Sequence, residues 1–253
     1  MIDKIKYELL DRPLELYKAH DFCASGAPKL TVVMVHGIAS EAKSFNGLLK
    51  YLEGTRSMQD VRFVAFDLLG AGQSYRSDKL NYDYKDQLAA LHNSIGKLEL
   101  NTPVVLVGHS MGTLIVTRYA DKHKRGVKEL VLISPPIYRP EDFENPLFVR
   151  GLEDFKKAVA LKNRAFLKDK AFNNEMELIV GNRKNYEVLA RASKPVTLIY
   201  GELDQIIAPF NIPGILKANS NITAIKTVGR HRVTPDKYSK VLKALEQTLS
   251  KIR

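Results

Sequence analysis

The stretch LVGHSMGTL, from Leu106 to Leu114, places a serine between two glycines, directly after an apolar run and directly before a helical pattern. In this GxSxG arrangement a tight strand-to-helix turn lifts the Ser110 side chain clear of the sheet, and side chains at Gly108 and Gly112 would clash. The N-terminus of the following helix stabilises negative charge beside the turn. We interpret Ser110 as a nucleophile; the alternative is a small residue in a glycine-rich corner.

The chain around this turn alternates apolar runs with helical patterns. The runs that predict strands are LTVVMV (30–35), VRFVAF (61–66), PVVLV (103–107), ELVLIS (129–134), PVTLIY (195–200) and ITAIKTV (222–228). Several lack the alternation of a half-exposed strand, as expected of strands buried on both faces of a parallel sheet. Apolar residues at helical spacing lie between them, for example Leu88, Leu91 and Ile95. The sequence therefore predicts an α/β fold with a mostly parallel central sheet and helices on both faces.

Two segments depart from this alternation. IKYELL (5–10) and LELYKAH (14–20) flank the turn signal DRP and predict an antiparallel pair. From 135 to 194 no strand is indicated, and apolar residues spaced by three, four or seven predict helices. We expect a core domain formed by residues 1–134 and 195–253, with residues 135–194 inserted as a helical cap.

A serine nucleophile requires a positioned histidine, which a carboxylate in turn orients. Of the six histidines, His231 lies on the loop after the last predicted strand, at the carboxyl edge of the sheet. Asp204 follows the strand 195–200, and Glu202 is a second candidate for the same role. The order Ser110, Asp204, His231 is the order found in hydrolases with this kind of turn. We predict that these three residues are catalytic; an exposed loop histidine is the alternative for His231.

Cleavage of an ester also requires hydrogen-bond donors for the oxyanion of the tetrahedral intermediate. The backbone NH of Met111 is one candidate, because it begins the helix after Ser110. In VHGIAS, Gly37 permits a sharp turn after the strand 30–35, which would direct the Ile38 NH towards Ser110. His36 then has an architectural role beneath this loop.

The motifs His36-Gly37, DLLGAGQS (67–74), GHSMG, GELDQIIAP and His231 resemble those of the α/β-hydrolase superfamily over essentially the whole chain. The match is to the esterase-like serine branch whose helical cap follows the sixth strand. The resemblance implies that DLLGAGQS is a structural loop near the site entrance. Leu69 departs from the family pattern, in which Arg or Pro is common there, and so do Arg230 and Arg232, where relatives tend to have small or apolar residues.

These features predict a serine hydrolase that cleaves small to medium, partly hydrophobic carboxylic esters through an acyl-enzyme. Alternatives that use the same residues are carbon–carbon bond hydrolysis, with cap arginines gripping the substrate, and thioesterase, lactonase or acyltransferase chemistry. A ligand-sensing protein on a hydrolase scaffold is the alternative of another class. In the cap, Phe148, Phe155, Phe166 and Met176 are candidates for a substrate pocket, and plain packing is the alternative for each. The arginines considered are Arg150, Arg164, Arg183 and Arg191.

Composition and charge limit the kinds of partner and the cellular compartment that we expect for the protein. The chain has 253 residues, a formal net charge of +11 and one cysteine, Cys23, which excludes an intrachain disulfide. Basic residues are mixed with acidic ones and accompany no nucleic-acid-binding motif, so a generally basic surface is favoured over a nucleic-acid interface. No secretory signal or membrane-spanning run is indicated. We expect a cytoplasmic protein with a small-molecule ester substrate and no cofactor or metal; the sequence does not indicate an oligomeric state.

Overall fold

The fold is an α/β structure built around one mixed sheet. The computed structural model describes residues 13–162, 169–181, 184–204 and 206–252. Its strands are β1 Tyr17–Phe22, β2 Leu30–Val35, β3 Val61–Asp67, β4 Val104–His109, β5 Val127–Ile133, β6 Val196–Gly201 and β7 Ile222–Thr227. They lie in the order β1-β3-β2-β4-β5-β6-β7. β1 is antiparallel to β3, and all the other neighbouring pairs are parallel.

Helices connect the parallel strands. In the described ranges they are α1 Asn46–Glu53, α2 Tyr84–Gly96, α3 Met111–Lys122, α4 Pro146–Lys162, α5 Lys170–Met176, α6 Asn185–Ala190, α7 Ile212–Ala218 and α8 Pro235–Ile252. A π-helical turn, Glu177–Gly181, continues α5. None of the helices in these ranges combines the length and the apolar character needed to cross a membrane.

Both faces of the sheet are covered, which explains the continuous apolar runs. All six residues of β2 are buried, and successive side chains enter opposite hydrophobic clusters. Val32 packs in a cluster with Leu48 of α1 and Leu245 of α8. Val33 belongs to a second cluster, which contains Ile115 of α3. A strand between two helical layers has no solvent face, so it has no reason to alternate polar with apolar residues.

The predicted strands 30–35, 61–66, 103–107, 129–134, 195–200 and 222–228 correspond to β2–β7, with ends that differ by no more than two residues. The N-terminal antiparallel pair is tested only in part, because residues 5–10 lie outside the described residues. The segment 14–20 overlaps β1, which pairs antiparallel with β3.

The described parts of the segment 135–194 contain α4, α5 and α6 and no strand. Phe148, Leu152 and Val159 of α4 are buried in the same hydrophobic cluster as the side chains of α2 and α3. Phe166, predicted to continue this apolar face, lies outside the described residues. The described helices of this segment therefore pack on the α3 side of the sheet.

Candidate active site

Ser110 lies at the junction of β4 and α3. β4 ends at His109, α3 begins at Met111, and Ser110 between them has φ 51° and ψ −122°. A positive φ is strained for a residue with a side chain and persists only where the surrounding structure enforces it. The strand–turn–helix context expected from the sequence is therefore present, and it presents Ser110 at the carboxyl edge of the sheet.

The two glycines of the turn are explained by close backbone contacts. A Cβ atom at Gly108 would lie 2.6 Å from the Thr113 backbone, and one at Gly112 would lie 2.1 Å from the Val35 carbonyl oxygen. No larger side chain fits at either position without displacing backbone. Glycine is thus required because α3 passes so close to β4 and to the end of β2.

Ser110, His231 and Asp204 form a continuous hydrogen-bonded chain. Ser110 Oγ lies 2.9 Å from His231 Nε2, and His231 Nδ1 lies 3.0 Å from Asp204 Oδ2. An ionised carboxylate only accepts hydrogen bonds, so His231 Nδ1 carries the hydrogen that it donates to Asp204. Nε2 is then the acceptor for the Ser110 hydroxyl. This arrangement can transfer the serine proton to His231.

The loops that carry Asp204 and His231 touch each other. Asp204 follows β6 and His231 follows β7, and these two strands are parallel neighbours. A Cβ atom at Gly201 would lie 1.8 Å from the Gly229 carbonyl oxygen. Residues that are 27 positions apart in sequence therefore meet because two parallel strands end together and a glycine permits their loops to approach.

The Asp204 side chain is buried, with 0% of its surface exposed. Burial alone would raise the pKa of Asp204, but the hydrogen bond and charge of His231 and the Ile206 amide lower it below its ordinary value. The carboxylate is therefore ionised at neutral pH. Glu202, the second candidate, is exposed and pairs with Lys226 at 3.0 Å.

The loop of His231 is held by two side chains that do not belong to this hydrogen-bonded chain. His109 Nε2 donates to the His231 carbonyl at 2.9 Å. The buried Lys237 donates to the carbonyls of Arg230 and Arg232, the latter at 2.7 Å. Burial, with the charge of His231, lowers the pKa of His109 to about 3, so this ring is neutral. Burial also lowers the pKa of Lys237.

The proposed oxyanion donors, Ile38 and Met111, are both buried residues beside Ser110. The Met111 NH lies in the first turn of α3, where backbone NH groups have no partner within the helix. The loop of Ile38 closely approaches the serine, since a Cβ atom at Gly37 would lie 2.8 Å from Ser110 Cβ. The structure thus brings both chain segments against Ser110.

His36 and Asp67 hold this loop from beneath. Leu68 NH donates to His36 Nε2 at 2.9 Å, and His36 Nδ1 therefore carries the hydrogen that it donates to the Gly37 carbonyl at 2.7 Å. Burial lowers the pKa of His36 and keeps the ring neutral. The Asp67 carboxylate accepts from the backbone NH groups of Ala42 and Gln73. Both residues make the architectural contacts expected from the sequence.

The three described cap candidates have different surroundings. The Phe155 ring meets the His231 ring at 6.3 Å between centroids and an interplanar angle of 61°. Phe148 packs against Tyr138, with ring centroids 4.9 Å apart, and Met176 is buried in the same hydrophobic cluster. Of the three, Phe155 has a ring contact with a residue of the Ser110–His231–Asp204 chain.

Sequence reasoning did not identify His109 or Lys237 as residues of the site. His109 adjoins Ser110 in the sequence, and Lys237 belongs to a C-terminal helical pattern rich in lysine. The proximity of His109 to the serine was the one available signal. The described residues also bring together no group of three His, Cys, Asp or Glu side chains able to hold a metal ion.

Comparison with known proteins identifies relatives of the chain. A family model described as alpha/beta hydrolase fold matches residues 31–171. The chain is 34% identical over 119 residues to the Arabidopsis thaliana protein named Probable lysophospholipase BODYGUARD 5, a match that covers 47% of this chain and 27% of that protein. It is 25% identical over 214 residues to Lipase 1 of Psychrobacter immobilis, and this match covers 74% of this chain and 66% of that protein. The matched segments thus span less than two thirds of either relative.

Solved structures extend the similarity to nearly the whole chain. The esterase EaEST of Exiguobacterium antarcticum is similar with a TM-score of 0.65 and 17% sequence identity, covering 94% of this chain and 95% of that one. At that identity the likeness concerns the fold, which many unrelated activities share.

Proposed function

The chain belongs to the α/β-hydrolase family, and we propose that within it this protein is a serine hydrolase that cleaves carboxylic esters. The observation that carries the proposal is the hydrogen-bonded chain from Ser110 through His231 to the buried Asp204. Relatives named as a lipase and a lysophospholipase support ester cleavage as the reaction class.

In the first half of the proposed reaction, Ser110 Oγ attacks the acyl carbon while His231 Nε2 accepts the hydroxyl proton. The backbone NH groups of Ile38 and Met111 donate to the oxyanion, and Asp204 stabilises the imidazolium that forms. His231 then gives the proton to the alcohol oxygen as the carbon–oxygen bond breaks. The alcohol departs and the acyl group stays on Ser110.

In the second half, His231 removes a proton from water, and the resulting hydroxide attacks the acyl carbon on Ser110. The same two NH groups hold the second oxyanion. His231 returns the proton to Ser110 Oγ as the acyl–oxygen bond breaks, which releases the carboxylic acid. Each step moves only protons and an acyl group, so the proposed reaction requires no cofactor.

We assign residues 135–194 as a cap over this site. The supporting contact is between Phe155 of α4 and the His231 ring, which covers the base with an apolar surface. An apolar cover favours substrates that are partly hydrophobic. The side chain of His231 is only 15% exposed, so most of the base is shielded from solvent.

Carbon–carbon bond hydrolysis is less well supported than ester cleavage. That reaction requires inward-facing cationic groups to grip its substrate, and Arg150 and Arg191 are both exposed. Arg164 and Arg183 lie outside the described residues. Thioester cleavage, lactone cleavage and acyl transfer use the same proton transfers, and a substrate panel distinguishes them from ester hydrolysis.

The test is turnover of p-nitrophenyl esters of increasing acyl length. We expect sustained hydrolysis that falls by about 10⁴-fold or more in Ser110→Ala. The exposed Ser193 supplies the matched control, and Ser193→Ala is expected to retain full activity. Activity that survives Ser110→Ala would overturn the mechanism. A single stoichiometric burst without turnover would instead identify a ligand-sensing protein.

A further inference from the structure

A cavity of about 210 Å³ with mixed polar and apolar walls lies beside the loop that carries Ile38. Its walls include Ser40 and Glu41, which follow Ile38, and the glycine-rich segment 70–72. Asp169, Phe172 and Glu175, from the segment between β5 and β6, complete the wall. This volume is below the roughly 300–1,000 Å³ usual for drug-sized ligands, so the cavity fits a short chemical group.

The cavity and His231 lie on opposite sides of Ser110. The cavity walls include the loops after β2 and β3, whereas His231 follows β7. In the sheet, β2 and β3 lie on one side of β4, and β7 lies on the other. Ala39, in the cavity wall, is two residues from Gly37, so the Cα atoms of Ala39 and Gly37 are at most about 8 Å apart. Gly37 in turn lies against Ser110, because a Cβ atom at Gly37 would be 2.8 Å from Ser110 Cβ.

This placement relates the cavity to the two portions of an ester. His231 Nε2 must give its proton to the leaving alcohol, so the alcohol portion faces His231. The acyl portion extends from the same carbon in another direction. The cavity, on the far side of Ser110 from His231, therefore lies on the acyl side of the substrate.

Glu175 differs from the other acidic residues of this cavity, because the residue is only 5% exposed and no cation among the described residues is bonded to it. Its hydrogen-bond partner in the described structure is Gln87, at 3.4 Å, and the Gln87 amide also bonds the Leu69 backbone. The nearby Arg76 is bonded to Asp169 and to the Gly70 carbonyl. Glu175 therefore retains hydrogen-bonding capacity towards the cavity.

The protonation state of Glu175 determines whether its carboxyl group can donate hydrogen bonds as well as accept them. Burial, reinforced by the charge of Asp169 and opposed by that of Arg76, raises the pKa of Glu175 to about 8. The carboxyl group is thus protonated at neutral pH, and it both donates and accepts hydrogen bonds. A neutral carboxyl suits an uncharged hydroxyl or carbonyl group.

We propose that the cavity receives the acyl portion of an ester and that Glu175 selects short acyl groups carrying a hydroxyl or oxo substituent. The inference rests on the proposed esterase function. In this role Glu175 contacts substrate and determines specificity, and it takes no part in the proton transfers of Ser110 and His231.

The test uses pairs of esters that differ only by a hydroxyl in place of a methyl group. Ethyl 3-hydroxybutyrate is compared with ethyl 3-methylbutyrate, and ethyl 6-hydroxyhexanoate with ethyl heptanoate, by kcat/KM at pH 7. We expect at least one pair to favour the hydroxy ester by roughly tenfold, the size of one net hydrogen bond. Glu175→Leu should abolish that preference and Glu175→Gln should largely keep it. The control Glu177→Gln changes an exposed residue two positions on and should match the wild type.

The outcomes distinguish this inference from the function on which it rests. Turnover of both members of each pair without preference, or a preference that persists in Glu175→Leu, would overturn the role of Glu175 and leave the esterase proposal standing. Failure to hydrolyse any ester would overturn both. A purely structural Glu175 would lower the activity of its variants on both members equally and leave the ratio unchanged.

Discussion

His109 Nε2 donates a hydrogen bond to the backbone carbonyl of His231 at 2.9 Å. The strained turn that carries the proposed nucleophile is thereby bonded directly to the loop that carries the proposed base. This contact is separate from the Ser110 Oγ to His231 Nε2 hydrogen bond, and it fixes the backbone from which the base projects.

Replacement of His109 by leucine should lower kcat by roughly tenfold with little change in KM. The leucine leaves the His231 carbonyl without its donor, a loss of about 1–3 kcal/mol, and the base is held less firmly. His109→Gln retains a donor and should recover part of the activity. Steady-state kinetics on a p-nitrophenyl ester measure both effects; an unchanged kcat in His109→Leu would show that the contact does not position the base.

Gly112→Ala should destabilise the fold strongly, whereas Gly96→Ala should be tolerated. A Cβ atom at Gly112 would lie 2.1 Å from a backbone carbonyl, while one at Gly96 has open space within 4 Å. Forced overpacking costs about 1–3 kcal/mol or more, and alanine in a helix is favoured over glycine by roughly 0.5–1 kcal/mol. Urea unfolding of the two variants measures the difference. Equal stabilities would contradict the steric account of the turn.

Phe155→Ala should raise KM for p-nitrophenyl butyrate by about fivefold and change kcat less. The ring lies against His231, on the side where the leaving alcohol is expected, and loss of one aromatic contact removes on the order of 1 kcal/mol of binding. Lys156→Ala, at an exposed position on the same helix, is the matched control. If both variants resemble the wild type, Phe155 does not contact substrate.

Glu175→Gln should become more stable relative to the wild type as pH rises from 5 to 8. Burial raises the pKa of Glu175 from 4.5 to about 8 in the folded chain. Between these values the folded protein keeps a proton that the unfolded chain has released, so the free energy of unfolding falls with increasing pH, by up to about 1.4 kcal/mol per pH unit. Glutamine does not titrate and removes this dependence.

Urea unfolding at pH 5, 6, 7 and 8 measures the effect, with Glu177→Gln as the exposed control. Stability curves of Glu175→Gln and the wild type that run parallel across this range would show that Glu175 is not held protonated by the fold.

The sheet and the turn at Ser110 could be predicted because their signals are local. Strands buried on both faces leave continuous apolar runs, and the close approach of α3 to β2 requires Gly112. Asp204 and His231 could be placed because each follows a predicted strand at the same edge of a parallel sheet. Their catalytic roles stay predictions until kinetics test them.

The contacts that support the site could not be predicted, because they depend on packing between distant elements. Lys237 belongs to a helical pattern that suggests a solvated lysine, yet its chain is buried and its ammonium group reaches the loop of His231. Phe148 and Phe155 share helical spacing, and the period of a helix does not specify which residues it turns towards a neighbouring loop. The structure turns Phe155 to His231 and Phe148 to Tyr138.

Three consecutive backbone carbonyls, those of Arg230, His231 and Arg232, each accept a hydrogen bond from outside their loop, two from Lys237 and one from His109. Every amino acid has the same backbone carbonyl, so these hydrogen bonds do not depend on which side chains flank His231. The exposed Arg230 and Arg232 can therefore be replaced to change the charge on either side of His231 while the histidine stays in place.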